Sequence, residues 1–147
     1  MAEVLREKGA NATVEEIVDR KKRSGVLGFI GGGRDAMLGR DTEIDPVAAD
    51  VASFDLVILG TPVWANTMAP AVRMFILQKK EDVRRPAFLC TMGGSGDKKT
   101  FQKMQDLLGK SPVATLALKT RHVKKERPDE YVAKIAAFVE LLTTPGD

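Results

Sequence analysis

The sequence contains a single cysteine, a single histidine and a single tryptophan in 147 residues. One cysteine, Cys90, excludes an internal disulfide, and Cys90 with His122 gives no metal-ligand set. Cys90 lies inside an apolar run, so we interpret it as a core residue and not as a nucleophile. We therefore expect no metal site and no cysteine catalysis.

Long apolar runs are also missing from the sequence. The longest run without a charged residue, 56–72, contains threonine, asparagine and two prolines, so it is too polar to span a bilayer. The first ten residues carry charges where the apolar part of a secretory signal would lie. Together with the lone cysteine, these absences lead us to expect a cytoplasmic protein that does not insert into a membrane.

Acidic and basic residues are mixed along most of the chain, so neither sign of charge is concentrated there. The net charge is +3, and 44% hydrophobic residues are enough for one domain, residues 1–147, around a single core. The basic run at 119–127 has no interleaved aromatic residue, so we interpret it as a solvated loop and predict no nucleic-acid binding. The alternative use of this run is to dock a redox partner protein or a nicotinamide nucleotide phosphate.

Four segments of the sequence have the pattern of strands. Residues 54–60, 86–92 and 112–118 are short continuous apolar runs, which are typical of strands buried on both faces of a parallel sheet. Residues 12–18 carry two adjacent glutamates and alternate poorly, so we place this fourth strand at a sheet edge.

Helical patterns alternate with these strands. They cover residues 70–78, residues 98–108 with Asp97 as N-cap, and residues 128–142. The pattern is weaker before residue 50, where we expect a glycine-rich connector at 31–33 and a short helix at 34–39. The alternation predicts an α/β fold with a doubly wound parallel sheet in three layers, α/β/α.

Two unusual segments follow predicted strands. TPVWANTM (61–68) follows the first apolar run and TMGGSG (91–96) ends the second, and ligands of such folds bind at the carboxyl ends of the strands. Trp64 offers a flat apolar surface, and glycines let main chain approach a planar ligand closely. The pattern therefore favours a site for a flavin ring. The alternatives are that Trp64 packs against a neighbouring helix and that the glycines form only a tight turn.

The stretch DLVILGTPVWANTMAPAVRMF, followed by AFLCTMGGSG, resembles the flavodoxin family over nearly the whole chain. The resemblance implies a flavodoxin-like five-stranded sheet in the order 2-1-3-4-5 and FMN as cofactor. It implies electron transfer or the activity of a small flavin-dependent reductase. It also implies that one side of the isoalloxazine is lined by Thr61, Pro62, Val63, Trp64, Ala65 and Asn66, and the other by Thr91, Met92, Gly93, Gly94 and Ser95.

The N-terminus departs from the family pattern. Family members begin with a strand and a Ser/Thr-Gly-Asn-Thr loop that wraps the phosphate, whereas MAEVLREKGA is similar to the end of the helix that follows. We therefore expect a domain without its first, central strand, with FMN bound weakly or not at all. An unpaired interior edge invites association, so we expect a homo-oligomer such as a dimer. The alternative function is a cofactor-free flavodoxin-fold module for assembly or interaction, or an incomplete gene product.

Overall fold

The computed structural model describes residues 1–21, 42–123 and 128–143. The predicted connector at 31–33 and the predicted helix at 34–39 lie outside these residues. The helices are α1 (Ala2–Glu7), α2 (Pro70–Lys79), α3 (Asp97–Leu108), α4 (Thr120–Val123) and α5 (Pro128–Thr143). The strands are β1 (Val57–Trp64), β2 (Thr67–Met68), β3 (Pro86–Met92) and β4 (Thr115–Lys119).

The strands form one sheet in the order β2-β1-β3-β4. β1 pairs in parallel with β3, and β3 with β4, so that Gly60 lies opposite Leu89 and Leu89 opposite Leu116. β2 is antiparallel and covers only the last two residues of β1. The predicted mostly parallel α/β sheet is confirmed, and in the described residues it has four strands.

Helices cover both faces of the sheet because the strands are apolar on both faces. On one face Leu59 and Phe88 pack with residues of α2 and α3, and the Phe88 and Phe101 rings stack with centroids 6.2 Å apart. On the other face Leu116 and Leu118 pack with residues of α1 and α5. This arrangement gives the three layers predicted from the alternation.

The predicted edge strand at 12–18 is wrong. These residues form no strand, and the nearest pairing is an isolated antiparallel bridge between Asp19 and Ile44. The Glu15 carboxylate instead accepts hydrogen bonds from the N–H groups of Ala48 and Ala49, at 2.5 and 2.8 Å. The Glu15 side chain therefore links this segment to the loop at residues 48–49, and the main chain of the segment forms no β-ladder.

Helix ends follow the local sequence closely. The helices that begin at Pro70 and Pro128 are confirmed, as is the end of α3 at Gly109, which has φ +71°. Asp97 is the first residue of α3 and not its N-cap; Gly96 is the N-cap, with φ +109°.

Among the described residues, no helix combines the length and the apolar character needed to cross a membrane.

Candidate functional site

The Trp64 segment is a β-hairpin and not the loop that the sequence predicted. β1 continues through Thr61 to Trp64, which pairs with Thr67 of β2. The two residues between these strands, Ala65 and Asn66, have φ of +49° and +59°. Positive φ at both central positions is the geometry of a tight two-residue hairpin turn, so Trp64 is at the end of a strand of the sheet.

The hairpin is anchored to α2 through Thr61. The Thr61 hydroxyl accepts a hydrogen bond from the Ala69 N–H at 3.0 Å and donates one to the Pro62 carbonyl at 2.9 Å. Ala69 precedes the first residue of α2 and has no capping side chain of its own. Thr61 is only 5% exposed, so its hydroxyl is engaged inside the protein.

The glycine turn after β3 lies against this hairpin. A Cβ added to Gly96 would be 2.8 Å from Asn66 Oδ1 and 2.8 Å from Val63 Cγ1. Only a residue without a side chain fits this contact, and φ of +109° also favours glycine. The two segments that the sequence predicted to form one site therefore meet at the carboxyl ends of β1 and β3.

The candidate residues differ in exposure around this contact. Exposed residues are Pro62, Ala65, Asn66, Gly93, Gly94 and Ser95. Half-buried residues are Val63, Trp64 and Thr91, and buried residues are Thr61 and Met92. Added Cβ atoms at Gly93 and Gly94 would meet no atom of the described residues within 4 Å. The hairpin tip and the glycine turn are thus both exposed next to this contact.

Trp64 contacts the protein as well as facing open space. It packs against the apolar cluster between the sheet and α2, as in the alternative interpretation of the sequence. Together with Pro62 it also lines a cleft of about 1280 Å³ beside β1, whose lining contains none of the residues 91–95. The indole is therefore at the junction between the hairpin and this cleft.

Cys90 is a core residue, as predicted. It is fully buried in β3, and this burial, with the negative charge of Asp97, raises the pKa of its thiol to about 11. The thiol is neutral near pH 7 and is a poor nucleophile. In the described ranges, no three His, Cys, Asp or Glu side chains gather in a way that could hold a metal ion.

Sequence reasoning missed the hairpin that residues 61–68 form and the cleft beside β1. The signal for the hairpin was the Ala-Asn pair between alternating residues, because asparagine tolerates positive φ better than most residues. Pro62 obscured this signal, since proline suggests the end of a strand. The cleft is lined by segments that are distant in sequence, so no local sequence pattern predicts it.

The four-stranded, mostly parallel sheet flanked by helices is a flavodoxin-like α/β fold. A flavoprotein from Lactobacillus acidophilus, whose crystal structure is of a complex with FMN, is similar to this structure with a TM-score of 0.66. The two sequences are 18% identical, and the similarity covers 84% of this chain and 85% of the flavoprotein chain. No protein-family model and no curated protein matches the sequence.

Proposed function

We propose that the chain binds the isoalloxazine ring of FMN beside Trp64, across the exposed main chain of the hairpin tip and of the adjoining glycine turn, and acts in electron transfer or as a small flavin-dependent reductase. The observation that supports this proposal is the contact of Gly96 with Val63 and Asn66, which joins the two predicted segments. The similar flavoprotein, which binds FMN, supports the same assignment. The protein would act in the cytoplasm.

The open main chain suits a planar ring. The residues from Gly93 to Ser95 are exposed, and apart from chain neighbours no described residue comes within 4 Å of a Cβ added to Gly93 or Gly94. Ala65 and Asn66 expose the hairpin tip next to them. When bound, the flavin supplies the redox chemistry, and the residues of this chain stack on the ring and hydrogen-bond its polar edge.

The candidate residues suit the phosphate of FMN less well than they suit its isoalloxazine ring. None of the eleven candidate residues, from Thr61 to Asn66 and from Thr91 to Ser95, has a charged side chain. A dianionic phosphate gains most from charge-assisted hydrogen bonds, each worth about 1.5–3 kcal/mol. We therefore propose that FMN binds weakly and that riboflavin, which lacks the phosphate, binds with a similar Kd.

Titration of the purified protein with FMN and with riboflavin tests this proposal. Binding is expected to quench the emission of Trp64, the only tryptophan, and the fluorescence of the flavin. Trp64→Ala removes the stacking contribution of about 0.5–1.5 kcal/mol and should raise the Kd about 2- to 12-fold. Trp64→Phe keeps a ring and should retain most of the affinity, while Val132→Ala, at an exposed site in α5, is the control for an unrelated substitution.

A colourless protein that quenches neither flavin would contradict the proposal. The second candidate function, a cofactor-free module for assembly or interaction, would then be preferred. The observation that favours this second candidate is the edge of β1 opposite β3, where the described residues supply only the two-residue strand β2.

A further inference from the structure

The cleft beside β1 separates that strand from the N-terminal part of the chain, and we call it the β1 cleft. It is lined by residues 10–17, by residues between 47 and 60, and by one side of α2, with Pro62 and Trp64 at the carboxyl end of β1. Its volume is about 1280 Å³. The cleft shares Pro62 and Trp64 with the proposed flavin site, whereas the glycine turn at 91–95 is not part of its lining.

The edge of β1 that faces this cleft has main-chain groups available for pairing. The Val57 N–H donates to the Arg85 carbonyl at 2.9 Å, on the side of β3. Main-chain groups of successive strand residues point to alternate edges, so those of Ile58 and Gly60 point away from β3. The described part of the chain has only β2 on that side, paired with Val63 and Trp64. No described strand therefore pairs with Ile58 and Gly60.

Both side walls of the cleft are apolar. Leu59, Val72 and Phe75 line it and belong to the cluster on the α2 face of the sheet. Leu5, Ile58 and Leu89 line it and belong to the cluster on the α5 face. A segment placed here would bury side chains on both of its faces, as a central strand of a parallel sheet does.

The volume of the cleft matches one strand. Six residues at about 3.3 Å each, about 4.8 Å from the neighbouring strand and with layers about 10 Å apart, occupy about 1000 Å³. This value is close to the 1280 Å³ of the cleft. Residues 10–17 form the side of the cleft opposite β1.

The charged groups of the lining are mainly acidic. Among the described residues that line the cleft, four carry carboxylates, Glu15, Glu16, Asp19 and Asp55, and two carry ammonium groups, Lys21 and the N-terminus at Met1. Asp55 comes two residues before the start of β1, so it marks one end of the strand position. An apolar segment with a basic residue at its end would complement this distribution.

We propose that the β1 cleft binds one extended segment of a partner polypeptide as an added β-strand, with about six uncharged apolar residues and a lysine or arginine flank. The main chain of the segment hydrogen-bonds to Ile58 and Gly60. Its side chains fill both apolar walls, and its basic flank meets the carboxylates. This interaction does not require a bound flavin.

The experiment uses the full chain and a synthetic peptide of about ten residues, with two lysines before a core of valine, isoleucine and threonine. At free peptide of ten times the Kd, hydrogen exchange of the Ile58 and Gly60 amides should slow about tenfold. The Val57 amide already bonds to Arg85 and should not change, so it is the internal control. Emission of Trp64, which lines the cleft, should shift to shorter wavelength.

Two comparisons test the stated chemistry of the partner. A peptide with glutamates in place of the lysines should bind about three- to tenfold more weakly at low salt, and the difference should shrink at high salt. Ala71→Phe places a larger side chain in the lining and should weaken binding of the lysine peptide, with circular dichroism as the check on folding.

Three results would overturn the proposal. The first is unchanged exchange of the Ile58 and Gly60 amides at saturating peptide. The second is protection of these amides in a dimer without peptide, which would make a second copy the occupant. The third is protection of these amides by FMN alone, which would make the cleft part of the flavin site.

Discussion

Replacement of Gly96 by alanine tests the contact on which the candidate site depends. Gly96 has φ +109°, and its added Cβ would be 2.8 Å from both Asn66 Oδ1 and Val63 Cγ1. The backbone conformation costs alanine about 1–3 kcal/mol, and the overpacking costs about 1–3 kcal/mol more. We therefore expect Gly96→Ala to lower the free energy of unfolding by about 2–6 kcal/mol.

Two other glycines separate the conformational and steric parts of this effect. Gly109 has φ +71°, and no atom of the described residues lies within 4 Å of an added Cβ, so Gly109→Ala should cost only about 1–2 kcal/mol. Gly93 has no positive φ and no close neighbour among the same described residues, and Gly93→Ala should change stability by less than about 0.5 kcal/mol. Urea unfolding followed by circular dichroism measures all three variants at equal m-value.

A double mutant identifies the partner of Gly96. Asn66→Gly removes the Oδ1 atom that an alanine at position 96 would meet, and glycine accepts the φ of +59° at position 66. In the Gly96→Ala background, Asn66→Gly should recover about 1 kcal/mol relative to its effect in the unmodified chain. Equal destabilisation by Gly96→Ala and Gly109→Ala, together with additive effects in the double mutant, would refute the contact between hairpin and turn.

Three further predictions concern other parts of the molecule. Thr61→Val leaves the Ala69 N–H without its partner and should cost about 1–3 kcal/mol in urea unfolding, whereas Thr61→Ser keeps the hydroxyl and should cost less. The Cys90 thiol has a pKa of about 11 in the folded chain against an ordinary 9.0, so the unfolded chain loses its proton first as pH rises. Stability should therefore fall by about 2–3 kcal/mol between pH 9 and 11, relative to Cys90→Ala; parallel curves for the two proteins would contradict this reasoning. The homo-oligomer expected from the sequence stays a prediction, and light scattering of a dilute solution tests it, with a stable monomer as the contrary result.

The local sequence pattern was sufficient to predict the strands and helices that form the core of the fold. The apolar runs that became β1, β3 and β4 are continuous because helices cover both faces, and this is the pattern that sequence reasoning detects best. Helix starts at Pro70 and Pro128 were equally local signals. These features require no knowledge of distant contacts.

Long-range contacts account for the errors. Residues 12–18 have strand-like composition, but the Glu15 carboxylate takes the amides of Ala48 and Ala49, more than thirty residues away. The candidate site was predicted as two loops, and its actual form depends on the turn at Ala65 and Asn66 and on Gly96 packing against it. Local propensity does not predict the Glu15 and Gly96 contacts, because each joins segments that are far apart in the chain.

The turn at Ala65 and Asn66 limits how this region of the protein can change during evolution. Ala65 holds a φ of +49°, a conformation that glycine, asparagine and aspartate adopt most readily and that branched side chains resist. Ala65→Val or Ala65→Ile would strain this turn and would weaken the pairing of Trp64 with Thr67. The turn at Ala65 thus fixes the orientation of the Trp64 indole. If that orientation is under selection, only a few small residues would be accepted at position 65 during evolution.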